Sequence, residues 1–354
     1  MPVRLKDIAR DLGVSVVTVS KVLRNQGDIS AATRQRVLKR MQELHYRPNL
    51  AARALITGRT HTVGLIVPDL LHPFFAQVAK ALQDVLRPHG YGLLLSSSEE
   101  DPELERQELE LLLGRRVDAL LIASAQYTVE GFRQIEEQKI PYVLIDRCFA
   151  GLTANFVGVD DEAAGDLATA HLLEQGCRRI AHIRGPGLST AVGRLEGYRR
   201  ALARQELAPL AGHIVSIGSS ADGRGEIGGY EAARTLLATT PRPDGIFCYN
   251  DPSALGAMRA ILAAGLDIPR DIALVGCGNV IYSDFLRVPL STIDQDSHSI
   301  GARSAELALE LIAAIEAKTP LHPRSIFIPP RLIARASSLR QPEGAPPPAA
   351  KPLL

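Results

Sequence analysis

Residues 5–24 read LKDIARDLGVSVVTVSKVLR, and this stretch decides what stands at the start of the chain. Leu5, Ile8, Ala9 and Leu12 recur at the spacing of one helix face, which predicts a first helix over Leu5–Leu12. Gly13-Val14 supplies a turn, and the Ser15 hydroxyl can cap the free N–H groups of a second helix over Val16–Arg24. Asn25-Gln26-Gly27-Asp28 breaks that helix. Ser30 caps a third, running to about Leu44, with Val37, Leu38, Met41 and Leu44 as its apolar side. Two short helices joined at a glycine have the spacing of a helix-turn-helix. In the second helix Val19, Val22 and Leu23 face the small core, leaving Val16, Val17, Ser20, Lys21 and Arg24 outward. Two neighbouring outward valines suit thymine methyl groups in a major groove better than they suit water, and Lys21 can donate to guanine acceptors. A plain three-helix bundle with a basic face would show the same periodicity.

Charge separates the two readings further. Residues 1–60 hold twelve Lys/Arg against four Asp/Glu, a surplus of +8, while the remainder holds 28 against 35, a balance of −7. A basic head on an acidic body points to a polyanionic partner for the head alone. The 354 residues exceed what one core usually supports, so two or three domains are expected. At 46% hydrophobic and 22% charged residues the balance is ordinarily globular. No apolar run reaches the roughly 18–20 residues of a membrane span. The opening Met-Pro-Val-Arg-Leu-Lys lacks the apolar stretch of about 7–15 residues that a secretory leader needs, so a cytoplasmic protein is expected. Cys148, Cys177, Cys248 and Cys277 are far apart, with no CxxC or Cys/His cluster. They read as buried small hydrophobes, and neither a metal nor a cofactor is expected.

From Thr62 the pattern changes to strand–helix alternation. Val63–Val67, Gly92–Leu95, Ala119–Ile122, Tyr142–Ile145, Phe156–Val159, Ile180–Ile183, Gly245–Cys248 and Ile272–Val275 are short apolar runs separated mostly by segments of crossover-helix length. That is the mark of doubly wound parallel sheets covered on both faces, and about nine strands fit two lobes better than one. Leu290–Ile293 and Ser325–Ile328 would return the chain between the lobes. The expected division is therefore an all-α helix-turn-helix head over 1–47, a linker over 48–60, a two-lobed α/β domain over 61–340, and a Pro/Ala-rich disordered tail over 341–354.

In open α/β sheets ligands bind beyond the carboxyl ends of the strands. The residues at those ends are Asp69, Phe74 and Phe75; Ser96–Ser98; Ser124; Asp146 and Arg147; Asp160 and Asp161; Arg184 and then Arg194; Asn250 and Asp251; and Asn279. Such polar density suits a hydroxyl-rich or charged small molecule held between lobes. With no Trp in the chain, ring stacking falls to Phe74, Phe75, Phe149, Tyr127 or Tyr249. Arg194 is the strongest candidate, because a guanidinium can hold two oxygens in a fixed fork. Asp146, His182 and Asp251 could serve as acid–base groups, but no nucleophile motif, Walker loop or metal spacing accompanies them, so an enzyme is not expected. A small-molecule binding protein without a DNA role would share the two-lobed body but has no use for the basic head.

Several phrases resemble the lactose-repressor family. In the head they are Val3-Arg-Leu-Lys-Asp-Ile-Ala, Gly13-Val-Ser15, Thr18-Val-Ser20-Lys21-Val, Ser30-Ala-Ala-Thr33-Arg34 and Leu44-His-Tyr46-Arg-Pro48-Asn49. In the body they include Val63-Gly-Leu-Ile-Val-Pro68-Asp69, Ile145-Asp146-Arg147, Gly193-Arg194-Leu-Glu-Gly-Tyr198, Asn250-Asp251 and Pro289-Leu-Ser-Thr-Ile-Asp-Gln295. The resemblance implies a transcription regulator, commonly a repressor, with a sensor domain built like periplasmic sugar-binding proteins. It implies base reading by Val16, Val17 and Lys21, phosphate contacts from Thr18, Ser20, Ser30 and Thr33, and a minor-groove wedge at Leu55. A hinge helix over Asn49–Ile56, too short to be stable alone, would carry that wedge. It implies effector contacts from Asp146, Arg194, Asn250 and Gln295, a homodimer on a pseudo-palindromic double-stranded DNA operator, and a sugar or sugar derivative as effector. One departure stands out: the family usually places an aromatic and then an effector-gripping Asp after Val275-Gly276, where this chain has Cys277 and Gly278.

Overall fold

The computed structural model describes residues 3–23, 27–46, 54, 58–217 and 225–340. The chain divides into two units, Met1–Thr60 and His61–Leu354. Residues 49–53 and 55–56 of the expected hinge helix, the tail over 341–354 and Arg24 lie outside the described residues.

The first unit contains α1 (Leu5–Leu12), α2 (Val16–Leu23) and α3 (Ala31–Glu43). Gly13 closes α1 with φ 63, a left-handed conformation that a residue without Cβ adopts at no steric cost. Ser15 Oγ accepts from the Thr18 N–H at 3.0 Å, and Ser30 Oγ accepts from the Thr33 N–H at 3.3 Å, so each hydroxyl satisfies a helix N-terminus. Ile8, Ala9, Val19, Val22, Val37 and Met41 form the core. Arg40 ties α3 to α1 through Asp11, with Nη2 to Oδ2 at 2.6 Å. Leu38, expected on the apolar side, is instead exposed. Val37 and Met41, four residues apart, take the core-facing stripe and leave Leu38 on the shoulder of the helix.

The second unit holds two six-stranded sheets. The first contains β1 (Thr62–Val67), β2 (Gly92–Ser97), β3 (Ala119–Ile122), β4 (Tyr142–Ile145), β5 (Asn155–Val159) and β11 (Ser325–Ile328), in the order β11-β5-β4-β3-β1-β2. The second contains β6 (Ile180–Arg184), β7 (Ile214–Ser216), β8 (Gly245–Cys248), β9 (Ala273–Cys277), β10 (Ser291–Asp294) and β12 (Arg331–Ile333), in the order β12-β10-β9-β8-β6-β7. The pairings are parallel except that of β12 with β10. Strands β7 and β12 are not legible in the sequence because each is three residues long and none of their residues is buried, so neither makes an apolar run.

Alternation along the strands sorts the cores. Val63, Leu65 and Val67 point toward α4 (Pro73–Leu86) and α11 (Ser297–Ala317), while Ile66 points toward α5 (Pro102–Gly114) and α6 (Arg133–Gln138). In the second lobe α7 (Asp161–Glu174) and α8 (Ser189–Ala203) cover one face, and α9 (Gly225–Leu237) and α10 (Asp251–Ala263) the other. Each fully buried Leu, Ile or Phe side chain here contributes roughly 1.5–3 kcal/mol. Helices α7 and α8 approach closely at glycines. A Cβ on Gly165 would lie 2.1 Å from the Arg194 carbonyl oxygen, and one on Gly197 would lie 2.0 Å from that of Glu162. The chain crosses between lobes after β5, between β10 and α11, and between β11 and β12, so Leu290–Ile293 and Ser325–Ile328 flank returns, as expected.

Candidate functional site

On α2, Val16 is 45% exposed and Val17 59%, whereas Val19 and Val22 are buried. Positions 16, 17, 20 and 21 share one helical face, so the valines stand beside Ser20 and Lys21. The Lys21 ammonium is paired with Asp28. The Ser15 and Thr18 hydroxyls hydrogen-bond at 2.8 Å, and the Ser30 hydroxyl donates to that of Thr33 at 2.9 Å. Thr18, Ser30 and Thr33 thus sit at helix N-termini, where backbone N–H groups and the helix dipole favour an anion. Leu55 lies outside the described residues.

In the second unit the strand ends of both sheets open onto a cleft of about 670 Å³. The first lobe lines it with Asp69, His72, Phe74 and Phe75 from the β1–α4 segment, Glu99 and Glu100 after β2, and Asp146 and Arg147 after β4. Arg194 of α8, Glu226 and Glu231 of α9, Tyr249, Asn250, Tyr282 and Gln295 line the rest. Asp69, Phe74, Phe75, Asp146, Arg147, Arg194, Asn250 and Gln295 are therefore gathered in one cavity.

Asp160, Asp251 and Asn279 do not line it, nor do the strand-end residues Ser96–Ser98, Ser124, Asp161 and Arg184. Asp160 is exposed and caps α7, accepting from the Ala163 N–H at 2.9 Å. Asp251 is wholly buried, accepting from Thr292 Oγ1 at 2.6 Å and the Val280 N–H at 2.8 Å. Asn279 Oδ1 accepts from Arg335 Nη2 at 3.0 Å. Each carries a structural tie that a strand-end rule cannot distinguish from a ligand contact. Phe149 packs against Phe132 in the first lobe's core, with ring centroids 5.1 Å apart, and Cys148 is exposed beyond the end of β4 rather than buried. Conversely, sequence reasoning misses Glu100 because β2 runs to Ser97, two residues past its apolar run, which moves the strand-end position onto Glu99-Glu100. It misses Glu226 and Glu231 because they follow the short β7.

The cleft's polar groups are held in place. Asp146 adopts φ 63, a left-handed conformation that costs a non-glycine residue of order 1 kcal/mol. Its carboxylate accepts from Gln295 Nε2 at 3.4 Å. Arg147 is forked onto Glu100, Nη1 to Oε2 at 2.9 Å and Nη2 to Oε1 at 2.7 Å. Arg194 donates from Nε to Asp161 Oδ1 at 2.8 Å and from Nη1 to the Tyr249 carbonyl at 2.7 Å, and lies over the Tyr249 ring. Asn250 Oδ1 caps α10 through the Ser253 N–H at 2.9 Å. His72 Nδ1 accepts from the Phe74 N–H, and burial, with Arg147 adding, lowers its pKa to about 4, so the ring is neutral at pH 7.

Residues 4–49 match the model of the lacI family of bacterial regulatory proteins, and residues 169–338 that of a periplasmic binding protein-like domain. The ribose operon repressor of Halalkalibacterium halodurans is 36% identical over 94% of this chain and 96% of its own. This chain belongs to the lacI family. Among solved structures, the lac repressor dimer bound to operator and the anti-inducer ONPF superimposes with a TM-score of 0.82 at 28% identity, over 96% of this chain and all of that one. The transcriptional regulator CelR in complex with cellobiose does so with a TM-score of 0.71 at 28% identity, over 95% and 99%. As a lacI-family member the chain is a DNA-binding transcription regulator and not an enzyme. No described helix is long and apolar enough to cross a membrane. At Gly278, where the sequence departs from the expected aromatic-Asp pattern, the backbone has φ 134, a conformation that strains any residue with a side chain.

Proposed function

We propose that this protein is a cytoplasmic repressor that binds a pseudo-palindromic operator as a homodimer and responds to a saccharide in the interlobe cleft. The observation that carries the reading is a cleft lined from both lobes by groups already locked in position, within a chain that also carries a lacI-family head. A molecule touching Asp69, Phe74 and Asp146 on one side and Arg194 and Asn250 on the other stabilises the closed arrangement, and only such differential binding can shift a conformational equilibrium. In the dimer, closure moves the first lobes and with them the linker over 48–60, which carries Leu55 as the minor-groove wedge. The head over 1–47 reads bases with Val16, Val17 and Lys21 and grips phosphates with Thr18, Ser20, Ser30 and Thr33. The body over 61–340 senses and dimerises.

The test compares wild type with Arg194→Lys in an operator-binding titration, with sugars, sugar acids, nucleosides and purines added in turn. Arg194→Lys keeps the charge opposite Asp161 but loses the planar fork, so operator binding persists and ligand response is lost. A ligand acting equally on both proteins places the effector site elsewhere. Light scattering should give a dimer; a stable monomer or tetramer contradicts the two-fold reading.

A further inference from the structure

We infer that the cleft selects a saccharide without phosphate or carboxylate and discriminates against the anionic derivative of the same sugar. The inference rests on the effector reading of the cleft and narrows it. Both guanidiniums that could hold an anion are already neutralised: Arg147 by its fork onto Glu100, and Arg194 by Asp161. Beyond these pairs Asp69, Glu99 and Glu226 face the cavity, and none has an ion-pair partner within 4.0 Å among the described residues. Among the described lining residues six carboxylates, including Glu231, which pairs with Arg234, thus stand against two arginines. Over these described lining residues acidic groups outnumber basic ones.

Hydrogen-bond capacity points the same way. An ionised carboxylate only accepts, as does a phosphate oxygen, so an anionic ligand would set acceptor against acceptor. A sugar hydroxyl donates and accepts. It can donate to Asp69, Glu99 or Glu226 and accept from a protein N–H. Arg147 is only 4% exposed and lines the cleft, and its buried Nε makes no hydrogen bond, lying 3.9 Å from Asp146 Oδ2. A buried donor left unpaired is unfavourable, and a ligand oxygen drawn in beside Asp146 would satisfy it. Because Glu100 already balances the guanidinium, that oxygen needs no charge. Burial raises the Asp69 pKa, Glu99 and Glu100 of the same lobe add to it, and Glu226 of the opposite lobe adds least, so acidic groups gather around the opening from both sides. A donor-rich neutral ligand relieves that repulsion on closure, whereas an anion adds to it. The cavity volume of about 670 Å³ lies within the roughly 300–1,000 Å³ typical of small-molecule sites.

The experiment is a thermal-shift screen of the full-length protein followed by calorimetric titration, using matched sets: ribose with ribose 5-phosphate and ribonate, galactose with galacturonate, cellobiose with cellobionate. The expected result is a neutral member that binds and an anionic counterpart that binds at least tenfold more weakly, with Glu226→Gln narrowing the gap. An anionic member binding as tightly as its neutral partner overturns the inference while leaving the effector cleft intact. A screen in which no saccharide binds also overturns it. Nucleosides and purines run in parallel then judge the broader reading: one that stabilises wild type but not Arg194→Lys keeps the cleft as the effector site with a different ligand class.

Discussion

The head and the sensor domain depart from the usual partition of residues in opposite directions. The head turns Val16 and Val17 to the surface of α2, while the sensor domain buries Arg147 and Arg194 to 4% and 3% exposure. Exposed valines need no partner in the free protein and cost it little. Buried guanidiniums must be neutralised, and each has a carboxylate within 2.8 Å. The two surfaces should therefore respond differently to substitution: changes in the sensor cleft act on folding as well as on binding, and changes at the exposed Val16 and Val17 act on binding alone.

The largest expected effect tests the buried side of that contrast. Asp161→Ala leaves the Arg194 charge without its carboxylate, and removing one partner of a buried pair costs about 3–5 kcal/mol. Urea unfolding of the sensor domain should show that loss, and a change below about 1 kcal/mol would mean that Arg194 is satisfied without Asp161. Arg194→Ala carries a similar penalty, which is why the lysine variant is the cleaner probe of ligand response.

The exposed side is tested by Val16→Ala with Val17→Ala. Specific operator affinity should fall by about 1–3 kcal/mol for each lost base contact, with the melting temperature unchanged. A fall in melting temperature would place these valines in a packed interface of the free protein. Lys21→Ala should relax base choice. An equal loss for every sequence would instead assign Lys21 to phosphate.

The smallest effect concerns pH. His182 is wholly buried, with its ring stacked against Phe247, and burial lowers its pKa to about 4, as it does for His72. Above pH 6.5 the ring is neutral whether folded or unfolded. Below it the unfolded chain takes up protons that the folded chain refuses until about pH 4, so stability falls as pH drops through that window. Each histidine should cost about 1 kcal/mol by pH 5.5. A melting temperature unchanged between pH 7 and pH 5 contradicts this.

Much of the fold was legible because its signals are local. Gly13 and Ser15 bound their helices as the residue types require, and Ala119–Ile122 and Tyr142–Ile145 stand out as apolar runs between polar ends. What was not legible depends on long-range pairing. Asp251 and Asn279 look like ligand contacts in sequence, yet Asp251 is taken by Thr292 and Val280, and Asn279 by Arg335, 56 positions away. Glu100 and Glu226 carry no motif; Glu100 enters the cleft because β2 runs on to Ser97, and Glu226 because it stands in the first turn of α9.

The most direct test of the whole account is selection of bound duplexes from a fully randomised DNA pool by the full-length protein, read by sequencing at two salt concentrations. The expected result is enrichment of a two-fold symmetric site, bound less tightly as salt rises because binding of the +8 head releases counterions. A pool that stays random after repeated rounds, with and without the sugars screened above, would contradict it.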